Sequence, residues 1–263
     1  MINFRRRRRP RRKAIAAGRG AVPDGTESGF FPGSARGNGR ISVKQGFFIT
    51  LEGGEGSGKS TQARLLVQFL RRAGRRVVHT REPGGTTIAE AVRRILLRPG
   101  GRVAPMTELL LYEAARAQHV AQHVAEIIRP ALDRGAVVVC ERYTDATVAY
   151  QGFGRGLDRR QIARLNDTAT GGLAPNLTFL LDVPVDRGLR AARSLTKTIS
   201  KGGRRLAGDR LEREPLAFHE RVRAGYRALA RQHPRRIVAV PWGPLESVRR
   251  EIQRSTEKRL KDF

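Results

Sequence analysis

The fold is most strongly indicated by the stretch Gly53-Gly-Glu-Gly-Ser-Gly-Lys-Ser60, which fits the phosphate-binding pattern G-x4-G-K-[ST] in full. An apolar run, 46–52, precedes it, and a segment with apolar residues at helical spacing, 60–72, follows it. In this context the glycines let backbone N–H groups approach phosphate oxygens, and the start of the helix favours an anion. Lys59 can then bridge the β- and γ-phosphates of a nucleotide, and the Ser60 hydroxyl can ligate Mg²⁺.

Apolar runs alternate with helical segments along the rest of the chain. Further strands are predicted at 76–80, 136–140, 177–183 and 236–240, and helices at 107–132, 158–169, 215–232 and 244–260. Strands that are apolar throughout are typical of parallel strands buried on both faces. The sequence therefore predicts an α/β protein of the P-loop NTPase type, with three layers and a five-stranded parallel sheet carrying helices on both faces.

One segment, about 194–208, departs from this alternation because it is polar, basic and glycine-containing. It is too long for an ordinary turn, and such loops in compact domains are usually functional or disordered. We expect it to be a lid loop.

Residues 1–45 predict a disordered basic extension in front of a single domain over 46–263. The extension contains 12 Lys/Arg and two Asp/Glu, within a chain of formal net charge +28. Its like charges repel one another, and little apolar periodicity follows them. A solvated tail or a start codon chosen too far upstream is the favoured interpretation. An arm that touches RNA or a membrane and an organellar transit peptide remain alternatives.

Composition limits the class of protein. Cys140 is the single cysteine, so an intrachain disulfide is impossible and a reducing, cytoplasmic location is expected. No apolar run reaches the length of a membrane span, so no membrane partner is expected.

Four blocks of sequence resemble bacterial thymidylate kinase, in the order in which that family has them. They are Leu51–Thr61, Thr80–Thr86 (TREPGGT), Arg116–Val120 (RAQHV) and Glu141–Gly152 (ERYTDATVAYQG). The second and fourth are specific to that family, and the resemblance runs from about Phe47 to the C-terminal helix. It implies transfer of a phosphoryl group from ATP, with Mg²⁺, to thymidine monophosphate (dTMP), by a homodimer.

The resemblance also implies which residues bind each nucleotide. The ATP-binding set is Gly53, Gly54, Glu55, Gly56, Ser57, Gly58, Lys59, Ser60 and Thr61. The dTMP-binding set is Glu55, Glu82, Arg93, Tyr112, Arg116, Arg142, Thr147, Tyr150 and Gln151. Tyr112 and Arg116 are four apart in a predicted helix and so share a face, from which a ring and a guanidinium can meet one base.

The implied catalytic residues are Lys59, Arg142 and an arginine of the lid. Gly56 stands where one branch of the family has a catalytic arginine, which suggests that the lid supplies it from Arg204, Arg205 or Arg210. Asp209 and Glu212 match the family's acidic pair beside the lid.

The metal ligands implied are Ser60 and Glu141. Two residues depart from the family's pattern: Glu141 stands where Asp is usual, and Ala146 stands where Ser is common. The longer Glu141 side chain is expected to shift the Mg²⁺ contact and to change the rate.

Other interpretations remain open at this stage. A kinase for another nucleoside monophosphate would share the P-loop but not the blocks around Tyr112 and Tyr150. His119 and His123 have a spacing that could bind a metal with Glu126, although packing on a helix surface is favoured. A nucleic-acid-binding protein on a P-loop scaffold is prompted by the net charge of +28.

Deletion of residues 1–45 tests the nucleic-acid alternative. Kinase activity is expected to survive the deletion, because every implied nucleotide-binding residue lies after it. Filter-binding with RNA and DNA at several salt concentrations, beside an activity assay, provides the measurement. Loss of activity together with loss of tight, salt-sensitive nucleic-acid binding would favour the alternative.

Overall fold

A computed structural model of the chain describes residues 46–122, 129–199 and 209–263, with the side chains of 129 and 195–199 left out. The elements follow in the order β1 (Phe47–Glu52), α1 (Lys59–Arg72), β2 (Val77–Arg81), α2 (Thr87–Leu97), α3 (Pro105–His119), α4 (Arg129–Asp133), β3 (Val137–Glu141), α5 (Thr144–Thr147), a π-helix (Val148–Gly154), α6 (Arg159–Thr170), β4 (Leu177–Asp182), α7 (Val185–Ile199), α8 (Leu216–Gln232), β5 (Ile237–Pro241) and α9 (Leu245–Lys261).

The strands of the described ranges form one parallel sheet in the order β2-β3-β1-β4-β5. The central strand β1 is buried along its whole length, as its apolar run predicts. Because all strands run the same way, the residues that follow β1 and β3 meet at one edge of the sheet. The predicted five-stranded α/β fold is confirmed.

Both faces of the sheet are covered. Ile49 and Leu51 point to one face, where they pack in a cluster with Leu66 of α1 and Ile252 of α9. Phe48, between them in sequence, belongs to a cluster with Val138 on the opposite face. This alternation along one buried strand produces the three layers and fixes β1 between them.

The segment predicted as a loop over 194–208 begins as a helix. Helix α7 continues to Ile199, so the prediction is wrong for residues 194–199. The physical reason is that no glycine or proline occurs between Leu189 and Ile199, and nothing there stops the helix. Residues 200–208 lie outside the described residues, as does the predicted extension 1–45.

The predicted helix over 107–132 is described only in part. Helix α3 ends at His119, and residues 123–128 lie outside the described part of the chain. Within the described ranges, each helix is too short or too polar to cross a bilayer.

Candidate active site

The loop between β1 and α1 adopts the conformation that its glycines predict. Gly53, Gly56 and Gly58 have φ of 141°, 62° and 87°, a region that other residues rarely adopt. Lys59 folds back over the loop, where its Nζ donates to the carbonyl oxygens of Gly53 (3.0 Å) and Gly54 (2.7 Å). The lysine ammonium is thus held against the loop by two main-chain carbonyls and by the Ser57 hydroxyl, which is 3.0 Å away.

The tip of this loop is packed against helix α7. A Cβ built on Gly56 would lie 1.9 Å from the carbonyl oxygen of Gly188, and one on Gly188 would lie 2.4 Å from that of Glu55. Position 56 therefore has no room for any side chain in this packing. This contact gives a physical reason why position 56 is glycine in this chain, although one branch of the family that the sequence resembles has arginine there.

Arg142 lies directly after β3 and turns back towards the P-loop. It has φ of 65°, a left-handed conformation that is uncommon outside glycine. Its guanidinium donates to Glu55 Oε1 (2.8 Å), the Gly53 carbonyl (3.1 Å) and the Tyr150 hydroxyl (3.1 Å). The predicted catalytic arginine and the predicted catalytic lysine therefore share the Gly53 carbonyl oxygen.

The charged groups clustered here shift the pKa values of Glu55 and Lys59. Burial raises the pKa of Glu55, but the charges of Arg142 and Lys59 and a hydrogen bond from Tyr150 outweigh burial and lower it to about 2. Burial and the neighbouring charge of Arg142 lower the pKa of Lys59 to about 7, although Glu55 opposes this. At neutral pH Glu55 is therefore ionised, and Lys59 is near the midpoint of its titration.

A cleft of about 600 Å³, open solvent included, lies beside Arg142. All the residues predicted to bind dTMP line it, namely Glu55, Glu82, Arg93, Tyr112, Arg116, Arg142, Thr147, Tyr150 and Gln151. They come from the P-loop, from the turns after β2 and β3, from α2, α3 and α5, and from the π-helix. Asp209 and Leu211 also line the cleft.

Arg116 and Glu82 are held by hydrogen bonds to other protein groups. Arg116 is buried, with Nε donating to Glu82 (2.8 Å) and Nη1 donating to Glu113 (2.8 Å) and Asn166 (2.7 Å). The other oxygen of Glu82 pairs with His119 Nδ1 at 2.9 Å. Arg116 and Glu82 thus hold each other in place, and His119 belongs to the same network, while His123 and Glu126 lie outside the described residues.

Ser60 and Glu141, the predicted metal ligands, are in direct contact. The Ser60 hydroxyl donates to Glu141 Oε2 at 2.5 Å, and His79 Nε2 lies 3.1 Å from Glu141 Oε1. Burial raises the pKa of Glu141, but the hydrogen bonds from His79 and Ser60 lower it below its ordinary value. An ionised carboxylate beside a hydroxyl supplies the oxygen ligands that Mg²⁺ prefers, so these residues fit the metal.

The arginines predicted for the lid are placed only in part. Arg204 and Arg205 lie outside the described residues. Arg210 is buried, with Nη2 2.6 Å from Glu108 Oε2 and Nε donating to the Leu96 carbonyl at 2.8 Å. In this structure it anchors the segment after the predicted lid to α2 and α3, instead of reaching the P-loop.

Comparison with known proteins agrees with this geometry. The family model described as thymidylate kinase matches residues 51–252. The chain belongs to the thymidylate kinase family. The matched range spans the P-loop, the cleft and helix α8, so the described parts of the candidate site lie inside the family's domain.

Individual relatives cover most of the chain. The thymidylate kinase of Syntrophotalea carbinolica is 52% identical over 216 residues, which cover 81% of this chain and 96% of that protein. That of Geobacter sulfurreducens is 55% identical over 196 residues, covering 74% and 88%. The crystal structure of thymidylate kinase from Ehrlichia chaffeensis is 32% identical, with a TM-score of 0.61, and covers 81% of this chain and 99% of that one.

Some residues that support the site lie in distant parts of the chain and were not predicted from the sequence. The Tyr226 hydroxyl on α8 lies 3.4 Å from Arg142 and 2.8 Å from Glu52. Arg155, after the π-helix, pairs with Glu108 at 2.9 Å. No motif marks Tyr226 or Arg155; the only signal for Glu52 was a carboxylate at the end of an apolar strand.

The lowered pKa of Lys59 predicts that binding of a nucleoside triphosphate takes up a proton. At pH 8 a lysine with a pKa of about 7 is mostly neutral, and phosphate oxygens should return its pKa towards the ordinary value. We expect uptake of about one proton per site at pH 8 and much less at pH 6, where the lysine is already charged. Isothermal titration calorimetry in buffers of different ionisation enthalpy measures this uptake.

Lys59→Arg is the matched control, because a guanidinium stays charged across this pH range. The variant should bind with no comparable uptake at pH 8. Equal proton uptake by the wild type and the variant would contradict the assignment of the shift to Lys59.

Proposed function

We propose that this chain transfers the γ-phosphate of ATP to dTMP, producing ADP and dTDP for DNA synthesis. The observation that carries the proposal is that the P-loop and the acceptor cleft share two groups. Arg142 and Glu55 line the cleft, and both belong to the hydrogen-bonded group around the Gly53 carbonyl. Two phosphates, one from each side, would therefore meet at the same guanidinium.

The chemistry consists of positioning and electrostatic stabilisation. An oxygen of the acceptor phosphate forms a bond to the γ-phosphorus while the bond to the β,γ-bridging oxygen breaks, in line. Arg142 and Arg93 hold the acceptor phosphate, and Lys59 stabilises the charge on the moving group. Because the acceptor phosphate is already ionised, neither a general base nor a covalent enzyme intermediate is needed.

We infer Mg²⁺ as the metal that accompanies ATP, held by Ser60 with Glu141 beside it. When bound, the ion neutralises charge on the β- and γ-phosphates. His79 holds one oxygen of Glu141, which leaves the other to face the hydroxyl of Ser60. These two contacts give the longer glutamate side chain a fixed position.

Selectivity for thymidine monophosphate follows from the walls of the cleft. Tyr112 offers its ring to the base, and stacking on aromatic side chains is worth roughly 1–3 kcal/mol per base in nucleic-acid complexes. Thr147 and Gln151 offer polar groups to its edge. The Tyr150 hydroxyl donates to Glu55 at 2.6 Å, which fixes the ring that would crowd a ribose 2′-hydroxyl.

The location and the assembly of the protein are also part of the proposal. Cys140 is buried, and burial raises its pKa well above the ordinary value, which suits an inert thiol in the cytoplasm. Helices α2 and α3 expose apolar side chains, Ile88 (56%), Ile95 (55%), Met106 (38%) and Leu110 (50%). We take this face as the surface of a homodimer, in agreement with the family resemblance.

A coupled ADP-release assay tests the function. With ATP and Mg²⁺, kcat/KM for dTMP should exceed that for uridine and guanosine monophosphates by about 100-fold or more. Lys59→Ala should lower kcat by roughly 10²–10³-fold while the melting temperature stays close to that of the wild type.

Lys258→Ala, which removes an exposed lysine of α9, is the control and should leave turnover unchanged. The proposal fails if guanosine monophosphate is the preferred acceptor, or if Lys59→Ala turns over as the wild type does.

Light scattering after size exclusion tests the homodimer. The wild type should elute at twice the chain mass of 29.2 kDa. Leu110→Asp should shift it towards the monomer, because a charge cannot be buried in an apolar interface. Leu216→Asp, at an exposed leucine of α8, should leave the dimer intact. A monomeric wild type would refute the assembly.

A further inference from the structure

Glu52 is a buried acid for which the proposed reaction has no use. It is the last residue of β1 and is 0% exposed. Its Oε1 accepts from the Tyr143 backbone N–H at 2.6 Å, and its Oε2 accepts from the Tyr226 hydroxyl at 2.8 Å. Both donors are neutral, and the ion pairs found among the described residues do not include Glu52.

A buried carboxylate without a paired cation is unfavourable. Burial, and after it the charge of Asp145, raise the pKa of Glu52 to about 7, although Arg142 and the two hydrogen bonds oppose this. An apolar residue would fill the same space without that penalty. Packing alone therefore does not account for an acid at this position.

The partners of Glu52 lead to Arg142 along two routes. One runs through the backbone, because the Tyr143 N–H that Glu52 accepts belongs to the residue directly after Arg142. The other runs through a side chain, because the Tyr226 hydroxyl that donates to Glu52 lies 3.4 Å from Arg142 Nη1 and can accept from it. Glu52 thus fixes the backbone turn after β3 and also the direction in which the Tyr226 hydroxyl points.

This support matters because Arg142 has an unfavourable backbone conformation. Its φ of 65° is held only if the surroundings impose it. The Leu51 carbonyl, which accepts from the Arg142 N–H at 3.0 Å, and Glu52 hold the peptide groups on the two sides of this residue. The end of β1 thereby sets where the guanidinium emerges.

We propose that Glu52 is a positioning residue that acts through Tyr226 and the Tyr143 amide to hold Arg142 where the acceptor phosphate binds. The inference rests on the proposed function and adds to it a support outside the cleft. Glu52 does not touch the substrate in this scheme. Its effect should appear in the acceptor half of the reaction, since the hydroxyl of Tyr226 does not bond the P-loop lysine.

Tyr226→Phe tests the inference, since it removes one hydroxyl and keeps the ring. We expect kcat to fall about tenfold and the KM for dTMP to rise, while the KM for ATP stays within about twofold. Glu52→Gln should show the same pattern, because an amide can accept only one of the two hydrogen bonds. The double variant should lose little more than the worse single variant, since both changes act on one chain of contacts.

Thr256→Val is the matched control. Thr256 is as buried as Tyr226, but its hydroxyl donates to the Ile252 carbonyl at 2.7 Å within α9 and does not join this chain of contacts. Its kinetic constants should stay within about twofold of the wild type. Thermal melts of every variant separate a loss of fold from a loss of rate.

Three results for Tyr226→Phe would each overturn the inference. They are kinetics that match the wild type, an equal rise in the KM values for ATP and dTMP, and a rate that falls only as far as the folded fraction does. Should Glu52→Gln fail to fold, the Tyr226→Phe result decides alone. A wild-type chain that does not phosphorylate dTMP would overturn the proposed function itself, whereas an active wild type with an unaffected Tyr226→Phe overturns only this inference.

Discussion

Lys59 and Arg142 donate to the same carbonyl oxygen, that of Gly53, at 3.0 and 3.1 Å. Two cations so close together repel each other, and the pKa of Lys59 is lowered first by burial and then by this repulsion. Glu55 compensates within the cleft, with a pKa lowered to about 2. A phosphate group at this point would place negative charge beside both cations and so favour the charged form of Lys59. The sheet, the glycine loop and the turn after β3 all serve to bring these two side chains together.

Outside the active site, many of the arginines that give the chain its net positive charge have a structural role. Several arginines are held in ion pairs that tie distant elements together, as Arg236 does with Asp145 at 2.6 Å and Arg223 does with Asp182 at 2.7 Å. A guanidinium matches the geometry of a carboxylate, so these ion pairs account for the arginines without a nucleic-acid partner. In the part of the chain that the structure describes, the basic composition is thus compatible with an enzyme of small anionic substrates.

Much of the fold follows from local sequence, because a buried parallel strand must be apolar along its length and the P-loop needs its glycines. The strands were predicted on these grounds and the family from the four sequence blocks that resemble it, and both predictions are confirmed. The residue roles stay predictions, although the structure gathers the acceptor set in one cleft. Other features depend on contacts between distant residues, such as the hydrogen bond between Glu52 and Tyr226, 174 positions apart. The left-handed turn at Arg142 also depends on packing that no single stretch reveals.

The most direct test of the account is a crystal structure with dTMP and a non-hydrolysable ATP analogue bound together. In that structure the acceptor phosphate should contact Arg142, and the thymine ring should stack against Tyr112. The triphosphate should contact Lys59 and the backbone amides of the P-loop. A thymine ring away from Tyr112, with its phosphate out of reach of Arg142, would contradict the account.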